Sequence, residues 1–549
     1  MPCRSWFGVG RTGIELLAIL AFFYLLAGDS PPAVNEAHYL AKARHYWDPS
    51  WCAGDQFLES ADAHVVFYWT LGWLTLWLPL PMVAWIGRWL VWILLAIALQ
   101  RLSMSLVPVR YRSVLIIGLY AWLLAIAHLG GEWVLGGVEA KGMAYAAVFV
   151  ALERLVRGDW NAAWCLLGLA AAFHVLVGGW AVIAALGAWC WTGPTRPSLR
   201  SMLPSLVASG VLALAGLLPA LALGRGVDAV TVAEANAIYV HRRLSHHLLF
   251  HEILRQQPVF DFAYLGLPRW TWPTTHLFFL RHVTLWLLWG GLVFRLRPQG
   301  GSRTFHGVVA MSIGIAAVGI GIDQATLFAP DLAARWLRYY WFRLADALVP
   351  LGTAVASVQL LERLASERKR AAVVGTLAAV IAIQGFALDA FLRQRWDDRP
   401  AAVRQADPRR ATSEQAFRDW QLACQWIKQH TPHGTIVLTP RHQQTFKWYA
   451  ERAEVVNWKD IPQDASGIIE WWRRKQAFLT PEVSRHGLAA LGTARLQELA
   501  DEYHFEYLLT ERLEPRQQLD FPRVFPPANV SSFYEIYRVS RSNKGVRPL

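Results

Sequence analysis

Long apolar stretches alternate with short polar connections from residue 12 to residue 392, and beyond that the alternation stops. Runs of about 20 apolar residues match the roughly 30 Å hydrocarbon core of a bilayer. The pattern predicts eleven membrane spans, at 12–28, 84–106, 113–129, 142–156, 161–176, 177–192, 201–224, 276–296, 305–325, 344–362 and 371–392. Three of these, 142–156, 161–176 and 177–192, are short enough to be tilted or broken. A twelfth apolar run, 64–82, is rich in Trp and Tyr and ends in Leu78-Pro79-Leu80-Pro81. That composition suits a helix lying flat at the membrane surface.

Charge supports this count. With the amino terminus inside, the inner connections carry Arg4, Arg11, Arg101, Arg110, Arg112, Arg154, Arg157, Arg196, Arg200, Arg295, Arg297, Arg303, Arg363, Arg368, Lys369 and Arg370. The outer connections carry the acids Glu36, Asp48, Asp55, Asp62, Glu132 and Glu139. Cytoplasmic loops gather Lys and Arg, so the bias fixes orientation. If 64–82 crossed, Arg101, Arg110 and Arg112 would fall outside. The first run, Thr12 to Gly28, follows Arg4 and Arg11 without a small-residue cleavage site, and reads as a retained signal anchor.

An odd number of spans places the remaining chain outside, as an extracytoplasmic domain over 394–549 after a membrane domain over 1–393. Helix and strand periods alternate there. Phe417 to His430 has helical spacing, Thr431-Pro-His-Gly breaks it, and Thr435-Ile-Val-Leu-Thr reads as a strand. Ala494 to His504 and then Phe505-Glu-Tyr-Leu-Leu-Thr repeat the order, and Phe533-Tyr-Glu-Ile-Tyr-Arg-Val closes it. The fold class is therefore a polytopic α-helical membrane protein with a carboxy-terminal soluble α/β domain.

Composition agrees. The chain has 549 residues, 54% hydrophobic and only 17% charged, against about 25% charged in soluble proteins. The 29 Trp suit the headgroup level, where an amphipathic ring is stable. The net charge of +13 is explained by Arg in inner loops and does not point to nucleic acid. The five Cys have no metal spacing; Cys52 and Cys424 both fall outside, where they can pair.

Candidate chemistry lies in the outer loops. The first loop reads Asn35-Glu36-Ala-His38-Tyr39, and a carboxylate such as Glu36 can serve as general base or hold a divalent metal. The second, Gly130 to Gly142, holds Glu132, Glu139 and Lys141 among glycines that let backbone approach a ligand. Arg335, Arg338 and Arg343 stand among aromatics before the span at 344, and an Arg fork binds phosphate through two hydrogen bonds. The 225–275 loop carries His241, Arg242, Arg243, His246, His247, His251 and Glu252. Its His247 and His251 have helical spacing, which is compatible with a metal but specifies no further ligand.

These loops resemble the GT-C superfamily of membrane glycosyltransferases, which includes protein O-mannosyltransferases and the aminoarabinose transferase of lipid A. Asn35-Glu36-Ala-His38-Tyr39 looks like the first acidic motif, although the family usually has Asp or Asp-Glu there. Glu139-Ala-Lys141 looks like the second acidic site, and Arg335–Arg343 matches the donor-phosphate segment in placement. Tail strings such as Cys424-Gln-Trp-Ile-Lys-Gln-His-Thr-Pro and Tyr534-Glu-Ile-Tyr-Arg-Val recur after the spans in bacterial proteins of this kind. The resemblance implies an enzyme of the bacterial inner membrane that takes sugar from a polyprenyl-phosphate donor. It implies Glu36 and Glu139 as catalytic acids, with His38, Tyr39, Lys141, Arg335, Arg338 and Arg343 on the substrate, and leaves a divalent metal open.

Two other functions fit the same architecture. A transporter or flippase of a lipid-linked solute predicts internal repeats and mid-membrane charge; no repeat is visible, while Arg88 and Arg281 do fall within apolar stretches. A non-catalytic scaffold would use the polar, aromatic strings Pro440 to Arg452 and Asn457 to Asp460 to bind another protein.

Overall fold

The computed structural model describes residues 6–192, 196–250, 259–261, 269–271, 274–396, 399–404, 414–440, 444–478, 480–513 and 518–539. The bundle is helical through the apolar region, but among the described residues fewer than the eleven expected spans meet the length and apolarity of a crossing helix. Five helices, Leu80–Leu106, Leu199–Ala222, Gly300–Ala325, Arg343–Glu367 and Lys369–Arg393, are long and apolar enough to cross a membrane. Thr12–Ala27, Arg112–Ile126, Trp160–Phe173 and Val175–Trp191 are apolar but shorter. Leu199–Ala222 and Lys369–Arg393 bury only 11% and 6% of their apolar windows, which leaves their side chains facing outward, as lipid contact requires.

The 64–82 run does not form a continuous helix. It splits into Val65–Thr70 and a tighter 3₁₀ turn at Gly72–Leu76, of 6 and 5 residues, neither long enough to span. Both pack beside the Glu36–Trp47 helix. A Cβ at Gly72 would come within 2.8 Å of the Ala43 Cβ, so glycine sets the close approach.

The Leu80–Leu106 helix orders the two ends of the bundle. Near its start Arg88 meets Glu36 of the first loop. Near its end Arg101 meets buried Glu153, which Arg154 and Arg157 also contact. Thirteen residues of helix separate the two points by about 20 Å. The acidic loops thus gather at one end and the Arg-rich connections at the other.

Beyond the bundle, five strands form one sheet, ordered β4-β3-β5-β7-β6. They are β3 (Ile436–Leu438), β4 (Ala453–Glu454), β5 (Tyr507–Glu511), β6 (Arg523–Phe525) and β7 (Tyr534–Arg538). A separate antiparallel pair, β1 (Val259–Asp261) and β2 (Arg269–Thr271), lies earlier in the chain. In the sheet β3 is parallel to β4 and β5, and β7 is antiparallel to β5 and β6. One face carries the Glu414–His430 helix. Its buried Ala416, Trp420, Ala423, Cys424 and Ile427 repeat at helical spacing, and the last four meet Val437, Leu509 and Ile536. The other face carries Ala465–Phe478 and Gly492–Tyr503 through Ile468, Trp471, Leu496 and Leu499. Ala235 and Ile238, from the long loop after Leu199–Ala222, join that second core. Membrane bundle and sheet are thereby packed together.

Cys52 and Cys424 are free, so the pairing open to them is not made. Each is buried in a different apolar cluster, Cys52 with Ala41 and Phe57 and Cys424 with Trp420 and Val437.

Candidate functional site

Glu36 opens the Glu36–Trp47 helix and is fully buried. Arg88 grips it with both prongs, Nε to Oε1 and Nη2 to Oε2, each at 2.6 Å. The backbone N–H groups of Ala33 and Val138 donate to the same carboxylate at 2.7 and 2.8 Å. Each oxygen therefore already accepts two hydrogen bonds, and a carboxylate oxygen has about two lone pairs to offer. Because Val138 belongs to the second loop, this ion pair also joins the two acidic loops. Gly137 makes the contact possible: a Cβ there would lie 2.5 Å from the Ala33 Cβ and 2.7 Å from the Glu36 Cδ. Gly137→Ala is expected to lower stability by about 1–3 kcal/mol, as overpacking does. Thermal unfolding of the purified variant checks this, and a melting point equal to wild type would refute it.

The second loop is shaped by Asp346, near the start of the Arg343–Glu367 helix. Its carboxylate accepts the N–H groups of Leu129, Gly130 and Glu132 at 2.5, 2.8 and 3.2 Å. Trp92 adds a hydrogen bond from Nε1 to the Gly136 carbonyl at 3.0 Å. The loop so held presents two buried acids. Glu132 lies 2.9 Å from Arg343 Nε and 3.2 Å from Lys141 Nζ. Glu139 lies 3.6 Å from Lys141 and accepts the Trp133 indole N–H at 3.1 Å. Lys141 also sits 4.0 Å from the Trp133 ring centroid, a cation–π contact.

Aromatic and imidazole groups complete a buried polar cluster, here called the chamber, around these acids. Arg343 Nη1 lies 2.8 Å from His174 Nε2. His174 occupies the extended joint between Trp160–Phe173 and Val175–Trp191 and caps the second helix through Nδ1. The His64 and His174 rings lie 5.5 Å apart. His64 Nε2 is 3.3 Å from the Tyr39 hydroxyl and 3.3 Å from Gln463 Nε2. Burial, with the nearby Arg343 charge, pushes the His64 imidazole down to about 3, so it is neutral at ordinary pH. Burial and the neighbouring Glu139 charge push the Tyr39 phenol well up, so it stays a donor.

The first loop docks onto the sheet through a buried ionic knot. Lys447 Nζ lies 3.1 Å from Asp55, 2.7 Å from Glu454 and 2.7 Å from Asp460. Asn457 donates to both Glu454 and Asp460, and His38 Nδ1 is 2.9 Å from Asp460. Burial works against the Lys447 charge, yet Asp460, Asp55 and Glu454 together hold its pKa well up. Burial works against the Asp460 carboxylate too, but Lys447 and His38 hold it well below the usual range. Burial lowers the His38 imidazole despite Asp460, which makes it a neutral partner.

The sequence-derived candidates divide accordingly. Tyr39, Glu139, Lys141 and Arg343 meet at the chamber, His38 joins the knot beside it, and Glu36 is enclosed by Arg88 behind it. Arg335 is exposed on the Pro330–Leu337 helix, and Arg338 donates to Asn236 instead. Of the His-rich loop, His251, Glu252 and the His246 side chain lie outside the described residues. Among the described residues no three His, Cys, Asp or Glu side chains gather as a metal site. The scaffold strings are consumed internally: Lys447, Trp448, Arg452, Asn457 and Asp460 are all buried. Sequence reasoning passed over His64, His174, Asp346, Lys447 and Asp460. The only prior signs were a charged or imidazole group in an apolar run and the polar string of the tail.

Residues 418–478 match the domain family DUF6798, a domain of unknown function. A search of curated proteins finds no match. Among solved structures, the chain is similar to the archaeal oligosaccharyltransferase AglB from Archaeoglobus fulgidus in complex with an inhibitory peptide and a dolichol-phosphate. That similarity has a TM-score of 0.48 at 12% identity and covers 92% of this chain and 70% of that chain. The apo form of the Archaeoglobus fulgidus oligosaccharyltransferase gives 0.45 at 12% identity over 92% and 70%. Its complex with Zn and sulfate gives 0.45 at 12% over 91% and 67%.

Proposed function

We propose that this chain is a membrane glycosyltransferase of GT-C type, which moves a sugar from a polyprenyl-phosphate donor to an acceptor hydroxyl at the outer membrane face. The observation that carries this reading is the convergence of both acidic loops, Arg343 and the carboxy-terminal sheet on one chamber at the non-basic end of the bundle. Glu139 is the general base in this reading. It has a single hydrogen bond from Trp133 and a loose contact to Lys141, so it retains acceptor capacity that Glu36 lacks. The acceptor oxygen forms a bond to the anomeric carbon as its proton passes to Glu139. The bond from that carbon to the phosphate oxygen breaks, and polyprenyl phosphate leaves with the electron pair. Arg343 and Lys141 stand where the leaving charge grows, and Tyr39 and His64 orient the sugar hydroxyls. Glu36 is a positioning residue that locks the two loops together through Arg88.

Purified protein incubated with a panel of polyprenyl-phosphate sugars and scored for donor consumption tests the reading. Consumption of one donor supports it. A panel left intact by folded protein, or donor carried across vesicles without cleavage, overturns it in favour of a scaffold or a flippase respectively.

A further inference from the structure

Most cations at the chamber already have a carboxylate: Arg88 has Glu36, and Arg343 and Lys141 share Glu132. Two do not. Arg243 ends the short π-helical turn Ile238–Arg243 and is 8% exposed. Among the described residues it has no ion pair, its buried Nε lacks a hydrogen-bond partner, and its guanidinium rests 5.2 Å from the Trp458 ring centroid. Lys459 follows Trp458 and is half-buried, and among the described residues its Nζ also lacks an ion pair or hydrogen bond. A buried charge left without a partner is costly, and Arg243 is such a charge, which a ligand of opposite sign would complete.

The local backbone is built to hold this arrangement. The Asn457 side chain accepts the N–H groups of Lys459 and Asp460, both at 2.8 Å, which fixes the 457–460 turn. Asp460 is in turn tied to Lys447 and His38. Arg243 therefore comes from the long loop after Leu199–Ala222 and Lys459 from the sheet domain, and Ile238 of that loop shares an apolar cluster with Trp471 of the sheet domain. The charges of Arg243 and Lys141 and the acid Glu139 all act on Lys459, which burial first and Arg243 next push down to about 8. Burial lowers the Arg243 guanidinium pKa, against Tyr340, Tyr239 and the more distant charge of Asp460, which forms no ion pair with it among the described residues.

We propose that Arg243 and Lys459 form an anion subsite for a phosphate or diphosphate group, completed across the joint between the two domains. A guanidinium fork with a free Nε and a point-charge ammonium suit a phosphoryl group with several oxygens. Resting on the glycosyl-transfer reading, the natural occupant is the phosphate head of the lipid donor. Occupancy then ties the sheet domain to the bundle.

The test is titration of the purified full-length protein in nanodiscs with inorganic pyrophosphate and, separately, with polyprenyl phosphate in the disc, read by tryptophan fluorescence and calorimetry. Wild type binds pyrophosphate, and Arg243→Gln and Lys459→Gln each weaken binding about ten- to a hundredfold, the worth of one charge-assisted hydrogen bond. Competition of polyprenyl phosphate with pyrophosphate assigns the subsite to the lipid head, and pyrophosphate binding without competition assigns it to a free phosphate. Lys459→Gln, on a half-buried turn, serves where Arg243→Gln fails to fold. No pyrophosphate binding by wild type, or equal binding by folded Lys459→Gln, overturns the subsite. Loss of sugar transfer with pyrophosphate binding intact would count against the transferase reading alone.

Discussion

Lys447→Met is expected to destabilise the protein by about 3–5 kcal/mol, the cost of removing one partner from a buried ionic cluster. Lys447 is 2% exposed and is the cation shared by Asp55, Glu454 and Asp460. Methionine keeps much of the volume but leaves three carboxylates facing one another in a desolvated site. Burial already raises the Glu454 pKa, and loss of Lys447 pushes Glu454 and Asp460 toward their protonated forms. The first loop should then loosen from the sheet. The check is thermal unfolding in detergent, with hydrogen exchange over residues 55–62. Exchange should rise there, and adding Asp55→Asn and Glu454→Gln should recover part of the loss. An unchanged melting point would show that the knot does not hold the loop. The pH response follows in sign. The depressed Asp460 pKa contributes stability above its unfolded value of about 3.9, and this is lost as pH falls further. The raised Lys447 pKa contributes stability below about 10.4, and this is lost at higher pH. The opposite shift at Glu454 softens the acid loss.

Glu139→Gln is expected to cut sugar transfer by about 10²–10⁴-fold, the usual contribution of a positioned general base. The amide keeps the shape and can still meet the Trp133 indole, so melting point and donor affinity should stay near wild type. Glu36→Gln should behave differently. Its neutral amide would face Arg88 and the N–H groups of Ala33 and Val138, so melting point and transfer should fall together. Single-turnover kinetics with donor binding measured in parallel separate the two. Full turnover in Glu139→Gln would remove Glu139 from the chemistry. A Glu36→Gln enzyme that is stable but inactive would return the role of base to Glu36.

The contrast between these two acids marks what the sequence made legible. Both loops were visible because a charge beside a long apolar run has to be accounted for. The Glu414–His430 helix and the strands β3, β5 and β7 were visible because their apolar residues keep a strict period. Partners were not visible. Arg88 lies 52 residues after Glu36, and nothing local says that its guanidinium closes around that carboxylate. His174 looked like one polar residue in an apolar run, yet it breaks a helix and reaches Arg343. Lys447 and Asp460 sat in a string suited to an external partner, and that partner is the chain's own first loop. Arg335 had the right company of aromatics, but its helix turns it outward.

The most direct test of the chamber as the donor site uses a polyprenyl-phosphate sugar with a photoreactive group on the sugar. The cross-linked peptides are mapped by mass spectrometry. The account predicts labelling within 132–141 and 457–463, reduced by unlabelled donor. Labelling confined to the polar groove around Arg418, Gln425, Lys428 and His433, with the chamber peptides unmodified, would contradict it.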